Sequence, residues 1–243
     1  MTRAELIQVV REDFLDDISD AQAGTDLVVQ AVSDTRLLRW LLEGEREACR
    51  RTDDLILDGT SFELRLATGV QSYDLDPGIL RIKAVRHGTA LLEHTTEAAL
   101  DRDVSGWRDY AAGAPTAFYL TRHRLTLDRA PSAAENGTHL GLAVWREPLD
   151  GGTLDEEPEI PAQMHRDLIA WAAYRYFLLP DPHIRDDARA LYFLQQFEAV
   201  FGPPRTAALL TFKLEDPGWS DIGTGGYSSA WPATTTTDEL TSF

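Results

Sequence analysis

Of cysteine, lysine and methionine the 243-residue sequence has very little: one, two and two. A lone thiol, Cys49, excludes an intrachain disulfide framework and any cysteine-rich metal site, and a reducing compartment is the simplest inference. Nor is there a run near the ~18 apolar residues of a membrane span, and Met1-Thr-Arg-Ala-Glu-Leu opens on no apolar signal region. A protein made and used in water, with no membrane partner, is expected. Positive charge is also short, 23 Lys and Arg against 40 Asp and Glu for a net −17. The deficit is spread, at −5 over 1–53, −4 over 54–150, −5 over 151–202 and −3 over 203–243. An evenly acidic surface repels phosphate backbones and anionic lipid, so a nucleic-acid grip is disfavoured, and solubility alone would also account for it.

What cationic charge exists is almost all arginine, 21 residues. Arginine suits bidentate interface pairs, although a GC-rich genome gives the same bias. Hydrophobic residues at 43% and charged residues at 26% are ordinary for a globular chain, with length for one good core or two small ones.

The apolar pattern changes period twice along the chain. Residues 3–18 read as a helix with Leu6, Val9, Val10, Phe14 and Ile18 near one side. Thr2 and Glu5 have capping-box spacing, and the acidic C-terminal end predicts fraying after Leu15. Leu27-Val-Val29 is β-prone and Gly24 breaks any continuation. A second helix over about 34–51 carries Leu37, Leu38, Trp40, Leu41, Leu42, Ala48 and Cys49, and Gly44 within it implies close packing against another backbone.

From Leu55 the pattern alternates. Strands are predicted over Phe62–Leu66, Gln71–Leu75, Ile79–His87, Phe118–Thr121, Leu125–Leu127 and Leu140–Trp145. Arg122-His-Arg124 makes a tight hairpin, and Asn136-Gly137 reads as a second hairpin turn and not as a glycosylation sequon. Thr95–Asp103 and Trp107–Ala111 read as a helical turn and a covering loop. After the acidic, glycine-bearing linker 148–161, helices are predicted over about 162–179 and 184–201. The last would place Ile184, Ala188, Leu191, Leu194 or Gln195, and Phe201 along one face. Beyond 203 the composition shifts to Gly, Ser, Thr and Pro with isolated aromatics.

The fold class is therefore α+β. An antiparallel helical bundle (1–54 with 151–202) is interrupted by an inserted antiparallel β-sandwich or small barrel (55–150), and an extended tail (203–243) follows.

Enzyme signatures are mostly absent. Gly223-Thr-Gly-Gly226 has no Gly-Lys-Ser/Thr ending, and the six histidines, His87, His94, His123, His139, His165 and His183, include no pair four apart on a helix. Asp16-Asp17, Asp53-Asp54 and Asp186-Asp187 are adjacent, so each pair diverges. His165 with Asp167, a possible hydrolase pair, is two apart on a helix and faces two ways. No catalytic residue, metal site or cofactor is expected. A carbohydrate- or receptor-binding β module is the rival reading, with Trp107, Tyr110, Phe118, Tyr119 and Trp145 as platform candidates.

Three stretches carry a resemblance, in order. They are Asp34-Thr-Arg-Leu-Leu-Arg-Trp-Leu-Leu-Glu-Gly-Glu-Arg-Glu47; Gly113-Ala-Pro115 leading into Phe118-Tyr-Leu120; and Pro158-Glu-Ile-Pro161 leading into His165, Leu168 and Ala172-Ala-Tyr-Arg175. Over about 33–202 the chain resembles tailed-bacteriophage adaptor proteins, the head-to-tail connectors. The resemblance implies a virion subunit made in the host bacterial cytoplasm, assembled as a ring, commonly twelve-fold, beneath the portal. Its partners would be portal protein, tail, nozzle or fibre proteins, and DNA only as a passing duplex. Arg36, Arg39, Arg46, Arg50 and Arg51 are the candidate subunit interface. Phe212, Trp219, Tyr227 and Trp231 are candidate anchors by which the tail docks on portal or neighbour.

Overall fold

Thr2 and Glu5 close the first helix reciprocally. Thr2 Oγ1 accepts from Glu5 N at 3.2 Å and Glu5 Oε2 from Thr2 N at 2.9 Å. This is seen in a computed structural model that describes residues 1–15, 32–52, 54–149 and 152–206. The expectations at Leu27-Val-Val29, Ile18 and the tail anchors lie outside the described residues. Helix α1 spans Arg3–Val10 and widens into a π-helical stretch, Arg11–Leu15, where a regular helix was expected. Arg11 there reaches across to Val32 O at 2.8 Å and Asp34 Oδ1 at 2.6 Å, and its acidic neighbours oppose the helix dipole.

Helix α2, Asp34–Thr52, starts on Ser33, whose carbonyl accepts from Arg36 and Leu37 N, and ends on Arg50 and Arg51, the charge its C-terminus favours. Gly44 does mark a close approach, but the neighbour is a side chain. A Cβ at Gly44 would meet Trp171 Cβ at 2.9 Å.

The strands form two sheets. In the first, β1 (Leu57–Asp58) and β2 (Glu63–Arg65) lie antiparallel on one edge of β9 (His139–Arg146). Its other edge pairs with β4 (Ile79–His87), which carries β5 (Ala90–Leu91). In the second, the order is β3 (Ser72–Asp74), β8 (Arg124–Leu127), β7 (Ala117–Thr121), β6 (Glu93–His94). β6 and β7 run parallel, against the expected antiparallel pattern. Helix α3 (Glu97–Asp103) and the short turn Trp107–Asp109 lie between them, a crossover long enough to bring the chain back in the same direction.

The β7–β8 turn is as tight as expected, with Arg122 at φ 55. The Asn136-Gly137 turn is not a hairpin. It links β8 in one sheet to β9 in the other, held by Gly137 N on Leu66 O and Thr68 N on Asn136 Oδ1. On β9, Leu140, Leu142 and Val144 face inward, and they meet Phe118, Leu125 and Leu127 of the second sheet in one buried cluster.

Residues Ala162–Asp167 form a 3-10 helix before α4 (Leu168–Phe177), where one continuous α-helix was expected. Met164 N closes onto Pro161 O, and Asp167 makes no capping bond at the start of α4. Helix α5, Asp187–Phe201, is capped by Asp186 Oδ1 on Ala188 N and Arg189 N. A second buried cluster gathers Leu6 and Val10 of α1, Leu37 and Leu41 of α2, Leu168 and Ala172 of α4, and Phe197 and Phe201 of α5.

The buried face of α5 differs from the expected one. Ala190, Phe197 and Phe201 are buried, and Leu191, expected inside, is 55% exposed. The tilted packing of the Phe197 ring against Trp171 and Phe201, at 5.0 and 4.6 Å between centroids, sets the rotation of the helix. Among the described residues the chain is a mixed α/β fold with five α-helices and two sheets, antiparallel except for β6–β7.

Candidate functional site

Buried charge joins the helices to the sheets. Arg3 Nη2 of α1 donates to Glu45 Oε2 of α2 at 3.0 Å, with the two side chains 3% and 0% exposed. The other Glu45 oxygen accepts from Glu159 N at 2.5 Å, so the linker before α4 is pinned to the same carboxylate. Glu159 Oε2 in turn takes Arg146 Nη2 at 2.6 Å, and Arg146 Nε bonds Asp58 Oδ2 at 2.9 Å. A chain of five residues thus runs from the first helix to Arg146 on β9 and Asp58 on β1. Burial works against the Asp58 charge. Hydrogen bonds from Ser61, Thr60 and Arg146 outweigh it, and its carboxyl is held well below the usual range.

The five arginines of α2 separate by environment. Arg51 is buried, donating Nε to Glu47 at 2.8 Å and Nη1 to Gly202 O at 3.0 Å, with its guanidinium over Trp171 and Phe197. It fastens α2 to the end of α5 inside the chain. Arg50 is half exposed and paired with Glu147 at 2.6 Å. Arg46 and Arg50 line an open cleft of about 680 Å³ between α2 and the sheets, with Phe62 and Leu149 as its apolar wall. Arg36 and Arg39 are exposed, Arg36 lying 5.9 Å from the Trp40 ring.

Helix α5 carries apolar groups that nothing described covers. Leu191 and Tyr192 are 55% and 56% exposed and Val200 is 44%. Ala188, Leu191, Gln195 and Ala199 form one open stripe at helical spacing. Tyr192, Gln196 and Val200 form a second, which lines a cleft of about 270 Å³ against Phe14, Ile169 and Ala170. The periodicity of α5 alone could not tell its inner from its outer apolar stripe. That ambiguity was itself the available signal, because a helix apolar all round needs a partner on both sides.

The rival constellations do not come together. His165 is buried with Nε2 against Ile160 O at 2.9 Å, while Asp167 lines the α4–α5 cleft, and no hydrogen bond joins them. Among the described residues no cluster of His, Cys, Asp and Glu could hold a metal ion. Cys49 is fully buried, and desolvation pushes its thiol far up, where it is inert. Of the five platform aromatics only Tyr110 is exposed. Trp107 and Phe118 are in the interior, and Tyr119 and Trp145 are half-buried. No described helix is long and apolar enough to cross a membrane.

The family comes from comparison with known proteins. Its model, described as SU10 adaptor protein, matches residues 1–208. The chain belongs to the SU10 adaptor protein family. This is a family of phage head–tail adaptors, and the match adds α1 and the 11–15 stretch to the 33–202 similarity read from the sequence. The chain is accordingly a phage adaptor protein, a structural component of the virion whose partners are portal and tail proteins. No curated protein matches the chain.

Proposed function

We propose that the chain is one subunit of a ring beneath the portal, commonly twelve-fold in such adaptors, which prolongs the DNA channel and offers an attachment surface to tail components. In this reading 1–54 and 151–202 form a helical bundle that builds the ring, 55–150 is an inserted β-sandwich facing tail, nozzle or fibre proteins, and 203–243 docks on portal or neighbour. The observation that carries it is the open Ala188–Leu191–Gln195–Ala199 stripe of α5 on a chain of this family. Rings are closed by head-to-tail contacts between two different patches, and an uncovered apolar stripe is one half of such a contact.

The cationic side of α2 suits the other half. Arg36, Arg39, Arg46 and Arg50 recur along its outer side, and the facing subunit of a −17 chain presents acid. Arg51, held within the chain, is left to the fold. The net charge favours free passage of the duplex, since walls that repel phosphate do not stall it. DNA is then accommodated without sequence reading. Trp219, Tyr227 and Trp231 supply the tail's docking anchors, with Phe212 at its root.

Negative-stain imaging of the subunit with and without portal protein tests the reading. Rings or portal caps are expected when portal is present. Separate subunits that never bind portal would overturn it.

A further inference from the structure

We propose that the outer face of the first sheet, over β9 and β4, is a docking site for an acidic extended segment of a tail component, which sets alternate carboxylates against Arg65, Arg81, Lys83 and Arg86. This deepens the reading of 55–150 as the part that meets tail proteins, and it rests on that reading for the source of the acid.

Register decides which side chains share this face. Leu140, Leu142 and Val144 of β9 point into the buried cluster, so His139, Gly141, Ala143 and Trp145 point outward. Residues paired directly across strands lie on the same face. Arg81 and Leu57 are therefore beside Trp145, Ala84 beside Ala143, Arg86 and Glu63 beside Gly141, and Arg65 beside His139. Lys83 lies where the β4 register shifts between Ile82 and Ala84, and its ammonium is 5.9 Å from the centroid of the Trp145 ring.

The charge of this face departs from that of the chain. Acid is in excess, 40 residues against 23 Lys and Arg, and exposed arginines elsewhere find it. Arg102, Arg108, Arg124 and Arg185 each bridge a carboxylate. Arg65, Arg81, Lys83 and Arg86 bridge none among the described residues. Glu63, which faces the same way, is held by His139 at 3.2 Å. Cations left unmatched in an acidic protein suit acid brought from outside.

Shape narrows the partner to an extended polypeptide. The floor between the cations is Ala84, Gly141 and Ala143, and a Cβ on Gly141 would meet nothing within 4 Å, so another backbone can lie close. Along β9 the Trp145 and His139 rows stand ~20 Å apart, the reach of about six or seven extended residues. Leu57 and Leu91, 46% and 61% exposed, stand at the rim for apolar groups of the same segment. A DNA duplex has no apolar side chain to cover them, and its charge, about one per 1.7 Å, is repelled at longer range by the −17 of the chain.

NMR titration of the full chain without portal tests this. The probes are a synthetic heptapeptide with glutamate at alternate positions and leucine at each end, its glutamine counterpart, and a short DNA duplex. The acidic peptide should shift the amides of Ala84, Gly141 and Ala143, and salt should reverse the shifts. Arg81→Glu with Arg86→Glu should keep the dispersed spectrum of a folded chain and weaken peptide binding about tenfold or more. Shifts elsewhere, equal binding of the glutamine peptide, or tighter binding of the duplex to this face would overturn the proposal. So would no shifts at all, which would leave the cations only the task of keeping the β4 edge from pairing with other chains. Portal capping is read separately. A chain that binds the peptide here but never caps portal keeps this face and loses the ring, and the reverse keeps the ring and loses this face.

Discussion

The Arg3 guanidinium and the Glu45 carboxylate lie 3.0 Å apart in the interior, and the buried Glu45 is reached from both α1 and the linker before α4. Glu45→Ala should destabilise the chain by up to about 3–5 kcal/mol, because it leaves the buried guanidinium only the longer pair with Glu156, at 3.7 Å. Replacing both partners, Arg3→Met with Glu45→Leu, should recover much of that and leave mainly the Glu159 N–H without its acceptor. Urea unfolding of the three variants checks this. A double variant no better than the single would contradict it.

Gly44 and Trp171 make a second pair with a definite expectation. Alanine is the better helix former by ~1 kcal/mol, yet its Cβ would stand 2.9 Å from Trp171 Cβ. That neighbour lies at the root of its side chain and has no rotamer to yield. Gly44→Ala should therefore lower stability by about 1–3 kcal/mol despite the propensity gain. A melting temperature equal to or above that of the parent would show that α2 and α4 move apart freely.

The Asp58 carboxyl is held below its ordinary range by hydrogen bonds from Ser61, Thr60 and Arg146 that exceed the burial cost. A depressed folded-state value means that the unfolded chain binds the proton more readily. The stabilisation is fully present above the ordinary carboxylate range and is lost as pH falls toward the folded value. Asp58→Asn should be less stable at neutral pH and show a flatter loss of stability from pH 5 to about 3. Some slope should remain. Asp128 is also lowered: burial opposes its charge, but bonds from Thr116, Ala117 and Arg129 prevail. Melting curves across that window, with parallel slopes for parent and variant, would refute the assignment.

Leu191 is exposed in the single chain, and in the proposed ring it is offered to a neighbour. Leu191→Asp should change subunit stability by less than about 0.5 kcal/mol and abolish ring assembly on portal. Native mass spectrometry reads the assembly and a thermal melt the fold. Intact rings from this variant would remove the α5 stripe from the interface.

Much of this architecture was legible in the sequence, for identifiable reasons. The capping box at Thr2, the span of α2 and the six strand segments follow from local spacing and side-chain alternation, which the neighbouring chain does not overrule. What failed depended on distant partners. The parallel β6–β7 pair needs the α3 crossover, the Asn136-Gly137 turn needs to know which sheet β9 joins, and the rotation of α5 is set by Trp171. At the candidate interface the arginines were visible as a group. Their division was not, because Arg51 is drawn inward by Gly202 O and Glu198, some 150 residues along the chain.

The antiparallel pairing of β1 with β9 sets Leu57 opposite Trp145. The β region therefore leaves and rejoins the helical part at one place, and folding it first shortens the loop that α2 and α4 must close from about a hundred residues to little more than a hairpin. Loop-closure entropy grows with the logarithm of length, so the saving is modest in stability but direct in rate. During synthesis the strands emerge complete before α4 and α5 exist, and the helices that carry the open α5 stripe close last. If the α5 stripe is the ring contact proposed above, a subunit built in that order presents it in helical form only once the rest of the chain has folded.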